Sequence, residues 1–195
     1  YRISEALMSV YRLVWDDFAS WYLESIKPKN FEMPIDKQTY EKTIGFFDKL
    51  LKLLHPFMPF ITEEIWQMIN DRKEGESIVD SELPKKKEYN KNIIKDFDKV
   101  KEIVKSVRGI RKDKNISPKE KLVLKITEKD NTVAGYSELL VKLCNLENIE
   151  LTSDINKGAL SFMVGTTEFF IPAGDVINVN EEIKKLKESL EYNKG

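Results

Sequence analysis

The chain has 195 residues, of which 41% are hydrophobic and 10% aromatic, so it can bury one large core or two small ones and is not globally disordered. A single cysteine, Cys144, excludes an internal disulfide framework and a multi-cysteine zinc site, and we expect a reducing, cytoplasmic compartment. No apolar run approaches the roughly 20 residues that a membrane-spanning helix needs. The chain starts at Tyr1 inside an amphipathic pattern, so we expect it to be a piece of a longer polypeptide.

The charge is distributed unevenly, although the net charge is only −1. Residues 1–84 carry 10 basic against 15 acidic side chains, residues 85–121 carry 14 against 6, and residues 122–195 carry 8 against 12. A basic segment between two acidic ones is a candidate surface for a polyanion. The alternative is a lysine-rich helix that is merely solvated.

The first third of the chain predicts three helices. Apolar residues recur every three or four positions over residues 2–26, in an arc wide enough to contact neighbours on two sides. Asp36 can cap a second helix that ends at Leu54. Two prolines then form a rigid corner, which we expect to be buried under aromatic side chains, and a third helix is predicted from about residue 63 to 71.

A short extended linker is predicted for residues 77–84, and a fourth helix follows over residues 90–112. Its apolar face includes Arg111 by position. Its other face carries basic residues at spacings of 4, 3 and 4, which are Lys101, Lys105, Arg108 and Lys112. Such a row can bind phosphates along a nucleic-acid backbone, and arginine adds planar donors for phosphate or for stacking on a base.

The last third predicts a small α+β subdomain. Residues 122–126 alternate as a strand, residues 131–144 form a helix, and three short extended pieces follow, the last two joined by a Gly165-Thr166 turn. Residues 179–190 show heptad-like apolar spacing, typical of the start of a coiled coil. We therefore predict a mainly α fold with a helical bundle over 1–117, an α+β subdomain over 118–178 and the start of a coiled-coil arm over 179–195.

Two residues could suggest chemistry. His55 is the only histidine, but it precedes a proline and has no nucleophile or paired acid nearby in sequence, so we expect a structural role. Cys144 lies at the apolar end of its predicted helix without a basic partner in sequence, and we expect it to be an inert core residue. We predict no catalytic, cofactor-binding or metal-binding residue in this chain.

Four segments carry a family resemblance. Residues 53–66, LLHPFMPFITEEIW, resemble the anticodon-binding domains of class I aminoacyl-tRNA synthetases for aliphatic amino acids. Residues 15–27 are similar to the first-helix pattern of the valyl and isoleucyl domains, although Ala19 stands where cysteine is frequent. Residues 104–118 resemble their helix-to-strand element. Residues 167–186 resemble the entry into the coiled-coil arm of the valyl enzymes, with a departure at residues 173–175, and they favour the valyl family.

The resemblance implies that this chain binds the anticodon stem-loop of tRNA within an enzyme that ligates valine to tRNA with ATP and Mg²⁺. The His-Ile-Gly-His and Lys-Met-Ser-Lys-Ser signatures of the ATP site are absent from the sequence, so this piece is expected to be non-catalytic. The expected partners are a valine-specific tRNA and the catalytic and editing domains of the same polypeptide, in a monomer without membrane contact. The candidate tRNA-binding residues are Arg108, Arg111, Lys112, Lys114, Lys101 and Lys105.

Two alternatives stay open, an isoleucyl anticodon-binding domain and a non-enzymatic helical module for protein interaction. Two further expectations depend on side-chain exposure. Trp15, Trp21 and Tyr22 are expected to pack in the core rather than contact RNA bases. Replacing Arg111 with alanine is expected to weaken tRNA binding and to leave the melting temperature almost unchanged.

Overall fold

The computed structural model describes residues 2–28, 33–152 and 159–172. The chain divides into two compact units, residues 1–89 and residues 90–195. The division falls before the fourth helix, whereas the sequence placed a boundary at residue 117. The reason is that the apolar face of this helix packs on the helices and strands that follow it. The predicted arm over residues 179–195 lies outside the described residues.

The first helix of unit 1 has three parts, α1 (Ile3–Arg12), a π-helical segment (Leu13–Leu23) and α2 (Glu24–Ile26). Its extent agrees with the prediction for residues 2–26, but the wider π winding was not expected. Ser20 Oγ donates a hydrogen bond to the carbonyl of Trp15, five residues earlier, at 2.9 Å. No residue in the described part of this helix is fully buried, so its apolar arc is covered less than the sequence suggested.

Helix α3 (Lys37–Leu54) begins where the sequence predicts. The Oδ1 atom of Asp36 accepts a hydrogen bond from the backbone N–H of Thr39 at 2.9 Å, which satisfies one of the free amides of the first turn. The buried side chains of α3 are Leu50 and Leu51. This confirms both the predicted cap and the predicted end of the helix.

Helix α4 (Pro59–Met68) starts four residues earlier than predicted. Proline is favoured in the first helical turn because its missing N–H would have no partner there. Thr62 lies inside the helix, and its hydroxyl donates to the carbonyl of Met58 at 2.7 Å. The predicted burial of the corner is wrong for its outer side, since the Phe60 side chain is 89% exposed.

The core of unit 1 forms around Trp66, which is 2% exposed and packs with Leu51 and Ile78. Its Nε1 donates to Asp48 Oδ1 at 2.7 Å, and the guanidinium carbon of Arg72 lies 3.5 Å from the ring centroid. Ile78 belongs to a short 3₁₀ helix (Ile78–Asp80) within residues 77–84, so the predicted extended linker contributes this one side chain to the core, whereas Val79 and Leu83 are exposed.

Unit 2 is built on α5 (Lys91–Asp113), whose N-cap Asn90 accepts from the N–H of Asn92 at 2.9 Å. The strands are β1 (Leu122–Ile126), β2 (Leu146–Leu151), β3 (Leu160–Val164) and β4 (Thr167–Ile171). They form a mixed sheet in the order β2-β1-β4-β3, with β1 parallel to β2 and the other pairs antiparallel. Gly165, with φ +61°, allows the predicted tight turn between β3 and β4.

The predicted helix over residues 131–144 is two helices, α6 (Asn131–Gly135) and α7 (Ser137–Cys144). The break is at Tyr136, whose backbone leaves the helical region at φ −116° and ψ 19°. Asn145 ends α7 in the left-handed conformation, with φ 49°. Asparagine tolerates this conformation better than most residues, and the reversal leads directly into β2.

A buried polar group joins α5, the start of α6 and β4. Asp130 accepts hydrogen bonds from the Lys99 ammonium, from the Thr167 hydroxyl at 2.7 Å and from the N–H groups of Thr132 and Val133. Burial by itself would raise the pKa of the Asp130 carboxyl group, but these hydrogen bonds outweigh burial and lower the pKa below its usual value. The folded state therefore favours the charged carboxylate.

We expect Asp130→Asn to lower the free energy of unfolding by about 2 kcal/mol at pH 7, because it removes charge-assisted hydrogen bonds. Since the pKa of Asp130 is lower in the folded state, its stabilisation is present above about pH 4 and is lost as the pH falls through the folded value. Urea unfolding followed by circular dichroism should show the variant and the parent converging at acidic pH. Asp98→Asn, which changes an exposed carboxylate of α5, is the control, and a constant difference across pH would contradict the assignment.

Helix composition also bears on membrane insertion. Among the described residues, every helix is too short or too polar to cross a lipid bilayer.

Candidate nucleic-acid interface

Helix α5 separates an apolar face from a basic one. Its apolar face is fully buried at Val100, Ile103, Val104 and Val107, which are 0% exposed. The rigid packing of this face fixes the helix, and so fixes the direction in which the opposite face points. The basic side chains of the predicted row all lie within unit 2.

Three of the four residues in the predicted row are exposed, namely Lys105, Arg108 and Lys112. Within the described ranges, neither Lys105 nor Lys112 has a carboxylate at ion-pair distance. Arg108 Nη2 donates one hydrogen bond to the carbonyl of Leu143 at 3.3 Å, which orients its guanidinium beside the end of α7. We call these three residues the α5 row.

Lys101 does not share this environment. Its side chain is 22% exposed, its Nζ lies 2.9 Å from Asp98 Oδ1 and 5.8 Å from the ring centroid of Phe97. A phosphate would have to compete with a carboxylate that is already in place. Lys114, at the C-cap of α5, is partly buried. Both stay predictions as tRNA contacts, with weaker geometric support than the α5 row.

Arg111 is not at the surface, and here the structure corrects the sequence-based expectation. Its residue exposure is 7%. The guanidinium donates to four backbone carbonyls at 2.9 to 3.1 Å, those of Ser117, Glu120, Cys144 and Asn145. Desolvation lowers the pKa of Arg111, although an arginine stays protonated at neutral pH. Its donors are occupied inside the protein, so Arg111 cannot serve as a phosphate fork.

The aromatic residues of the first helix are divided between surface and interior. Trp21 and Tyr22 are partly buried, and the Tyr22 hydroxyl lies 3.0 Å from Thr43 Oγ1. Trp15 is 60% exposed and stacks on Tyr11 with 6.5 Å between ring centroids. The expected core packing is therefore only partial for Trp21 and Tyr22, and it is wrong for Trp15.

The two residues that could suggest chemistry are held in structural environments. His55 Nδ1 lies 2.8 Å from the hydroxyl of Thr62, across the corner that precedes α4. Cys144 is buried, and burial raises the pKa of its thiol to about 12. A thiol with that pKa stays protonated and unreactive in the folded protein. In the described part of the chain, no group of three or more His, Cys, Asp or Glu side chains is arranged to hold a metal ion.

Comparison with known proteins agrees with the resemblance to synthetase anticodon-binding domains that the sequence motifs indicate. The family model for the anticodon-binding domain of tRNA ligase matches residues 1–127. A valine–tRNA ligase from Phocaeicola vulgatus is 55% identical over 195 residues, and one from Parabacteroides distasonis is 51% identical over 195 residues. One from Listeria monocytogenes is 36% identical over 204 aligned positions, which cover 98% of the chain.

The chain spans 22% of the length of each of these relatives, and the alignments to the first two cover all of its residues. The helices of unit 1, the corner and α5 with its basic row all lie within the 127 residues that the family model matches, whereas α6 and α7 lie beyond them. The chain belongs to the anticodon-binding domain family of tRNA ligases.

Proposed function

We propose that this chain is the part of a valine–tRNA ligase that binds the anticodon stem-loop of its tRNA. The observation that supports this most directly is the exposed α5 row, Lys105, Arg108 and Lys112, within a region that matches the family. The identity of 44 to 55% to the first valine–tRNA ligases along nearly the whole chain supports valine rather than isoleucine as the amino acid of the complete enzyme.

In this proposal the complete enzyme joins valine to tRNA at the expense of ATP, and ATP with Mg²⁺ binds in a catalytic domain outside this chain. The contribution of this chain is binding and orientation. The basic side chains hold phosphates of the anticodon arm, and recognition of the unpaired bases adds specificity. The proposal also includes a monomeric, cytoplasmic enzyme whose coiled-coil arm begins near residue 179.

The α5 row suits phosphate binding for two reasons. Its side chains recur every three or four residues and span about 10 Å of the helix axis, so they present several charges to one strand. Arg108 is held by a single hydrogen bond to Leu143, which fixes the guanidinium while its other N–H groups can reach a bidentate acceptor.

We expect the variant Lys105→Gln/Arg108→Gln/Lys112→Gln to bind valine-specific tRNA more weakly and with a smaller salt dependence. Loss of three phosphate contacts should reduce the slope of log affinity against log salt by roughly two to three, since each contact contributes about 0.7 to 0.9. Fluorescence anisotropy between about 50 and 300 mM KCl would measure this slope.

The charge-matched control is Lys91→Gln/Lys95→Gln/Lys129→Gln, which removes three exposed lysines outside the row. It should keep most of the parental slope, whereas equal effects of the two triple variants would place the binding surface elsewhere. A flat salt response of the parent chain would contradict the tRNA-binding proposal itself. Changing the anticodon of the same tRNA tests specificity in the same assay.

A further inference from the structure

A basic loop, residues 114–121, connects α5 to β1. It contains three lysines, and two of them, Lys119 and Lys121, are exposed. Residues 117–120 form a tight turn in which the N–H of Glu120 donates to the carbonyl of Ser117 at 3.1 Å. Lys119 is in the middle of this turn, and its N–H donates to Ser117 Oγ at 3.3 Å. Lys119 and Lys121 lie beyond the end of α5, so the helical spacing that identified the α5 row does not include them.

Three carbonyls of this loop are bound by side chains from outside the loop. Arg111 donates to the carbonyls of Ser117 and Glu120, both at 2.9 Å. The side-chain amide of Asn145 donates to the carbonyl of Pro118 at 2.9 Å and to that of Glu120 at 3.2 Å. Donors from outside the loop thus determine its conformation.

Two arginines of α5 connect the loop and the α5 row to the end of α7. Arg111 also donates to the carbonyls of Cys144 and Asn145, and Arg108 donates to that of Leu143. Both arginines therefore contact the C-terminal end of α7, where free carbonyls favour a positive charge. The loop that Arg111 anchors is consequently next to the row that contains Arg108.

The electrostatics of the loop favour a polyanion. It contains three lysines and only one acidic residue, Glu120, which is partly buried. No carboxylate of the described chain lies at ion-pair distance from the guanidinium of Arg111. The guanidinium of Arg111 binds four carbonyl groups and is attracted electrostatically by the Glu120 carboxylate, and the loop together with Arg111 still carries more positive than negative charge.

We propose that loop 114–121 is a second phosphate-binding element of this surface, in which Lys119 and Lys121 contact the tRNA backbone and Arg111 is the residue that positions them. This inference rests on the proposed tRNA binding and extends it beyond the α5 row. The ligand is the same sugar-phosphate backbone, bound on either side of the α5 C-terminus.

The first test compares Lys119→Gln/Lys121→Gln with the charge-matched control Lys91→Gln/Lys129→Gln in the salt titration with valine-specific tRNA. The loop variant should reduce the slope by roughly 1.4 to 1.8, and the control should leave it close to the parental value. If the parent slope is steep and the loop variant keeps it, the loop does not bind phosphate, although the tRNA-binding proposal stands. A flat parent slope would refute both.

The second test addresses Arg111 through a double-mutant cycle. Arg111→Met, assayed at a temperature at which circular dichroism shows it folded, should lose salt slope to a similar extent as Lys119→Gln/Lys121→Gln. Combining the two changes should give little further loss, because both act through the same contacts. A purely structural arginine would leave the slope of the folded protein unchanged, and additive losses would also contradict the positioning role.

If Arg111→Met does not fold, Asn145→Gly is the substitute. Glycine keeps the backbone at φ 49° without strain and removes only the amide that binds Pro118 and Glu120. The same non-additivity with Lys119→Gln/Lys121→Gln is expected, and a parental slope in Asn145→Gly would overturn the positioning argument.

Discussion

Replacing Arg111 with methionine is expected to lower the free energy of unfolding of unit 2 by about 3 to 5 kcal/mol. Methionine fills part of the volume but donates no hydrogen bond, so four buried or partly buried carbonyls lose a charged donor. The relief from desolvating the guanidinium offsets only part of this loss. The expectation from sequence, an almost unchanged melting temperature, is reversed.

The two units can be followed separately. All three tryptophans are in residues 1–89, whereas the only cysteine, Cys144, is buried in unit 2 and its carbonyl binds Arg111. In a urea titration of Arg111→Met, Cys144 should react with a thiol reagent at lower urea than in the parent, and tryptophan fluorescence should change little. Arg108→Met, which loses one surface hydrogen bond, should stay within about 0.5 kcal/mol. Equal effects of the two variants would show that the carbonyl contacts contribute little.

Trp66→Ala is expected to destabilise unit 1 by about 3 to 5 kcal/mol. The indole is 2% exposed, packs with Leu51 and Ile78, and binds Asp48 through Nε1 at 2.7 Å. Alanine would leave a cavity at this junction and would remove the aromatic face that the guanidinium of Arg72 covers. Trp66→Phe keeps most of the packing and loses the N–H donor, so its effect should be smaller.

In a urea titration of Trp66→Ala, tryptophan fluorescence and the thiol reactivity of Cys144 should respond in the opposite way to that expected for Arg111→Met. The fluorescence of Trp15 and Trp21 should report unfolding at lower urea, and the protection of Cys144 should be largely retained. Trp15→Ala is the matched control, because this indole is 60% exposed, and its effect should be within about 1 kcal/mol. A loss from Trp15→Ala as large as that from Trp66→Ala would contradict the assignment of the core.

Local signals in the sequence determined much of the fold. The cap at Asp36, the limits of α5, strand β1 and the turn at Gly165 depend on residues close together in the chain, and the structure confirms them. The spacing of apolar residues did not predict burial correctly where burial depends on residues far apart in the chain. Phe60 belongs to an apolar run, but it is exposed because Trp66 and Ile78 form the core instead.

The candidate nucleic-acid interface also combines features set by nearby residues with features set by distant contacts. Periodicity placed Lys105, Arg108 and Lys112 on the exposed face of α5, because residues three and four apart share one side of a helix. It also placed Arg111 on the opposite face, but residue type alone suggested a phosphate ligand. Its burial depends on the loop before β1 and on the end of α7. The α7 contact, the carbonyl of Cys144, is 33 residues from Arg111 in the chain.

Short-range spacing and motif similarity are therefore enough to predict the family, the main helices and the basic face of α5. The fold was needed to show that Arg111 binds carbonyls and that Asn145 helps to hold the loop carrying Lys119 and Lys121. A guanidinium is equally suited to a phosphate and to a cluster of carbonyls, and the groups that the fold brings around it decide between them.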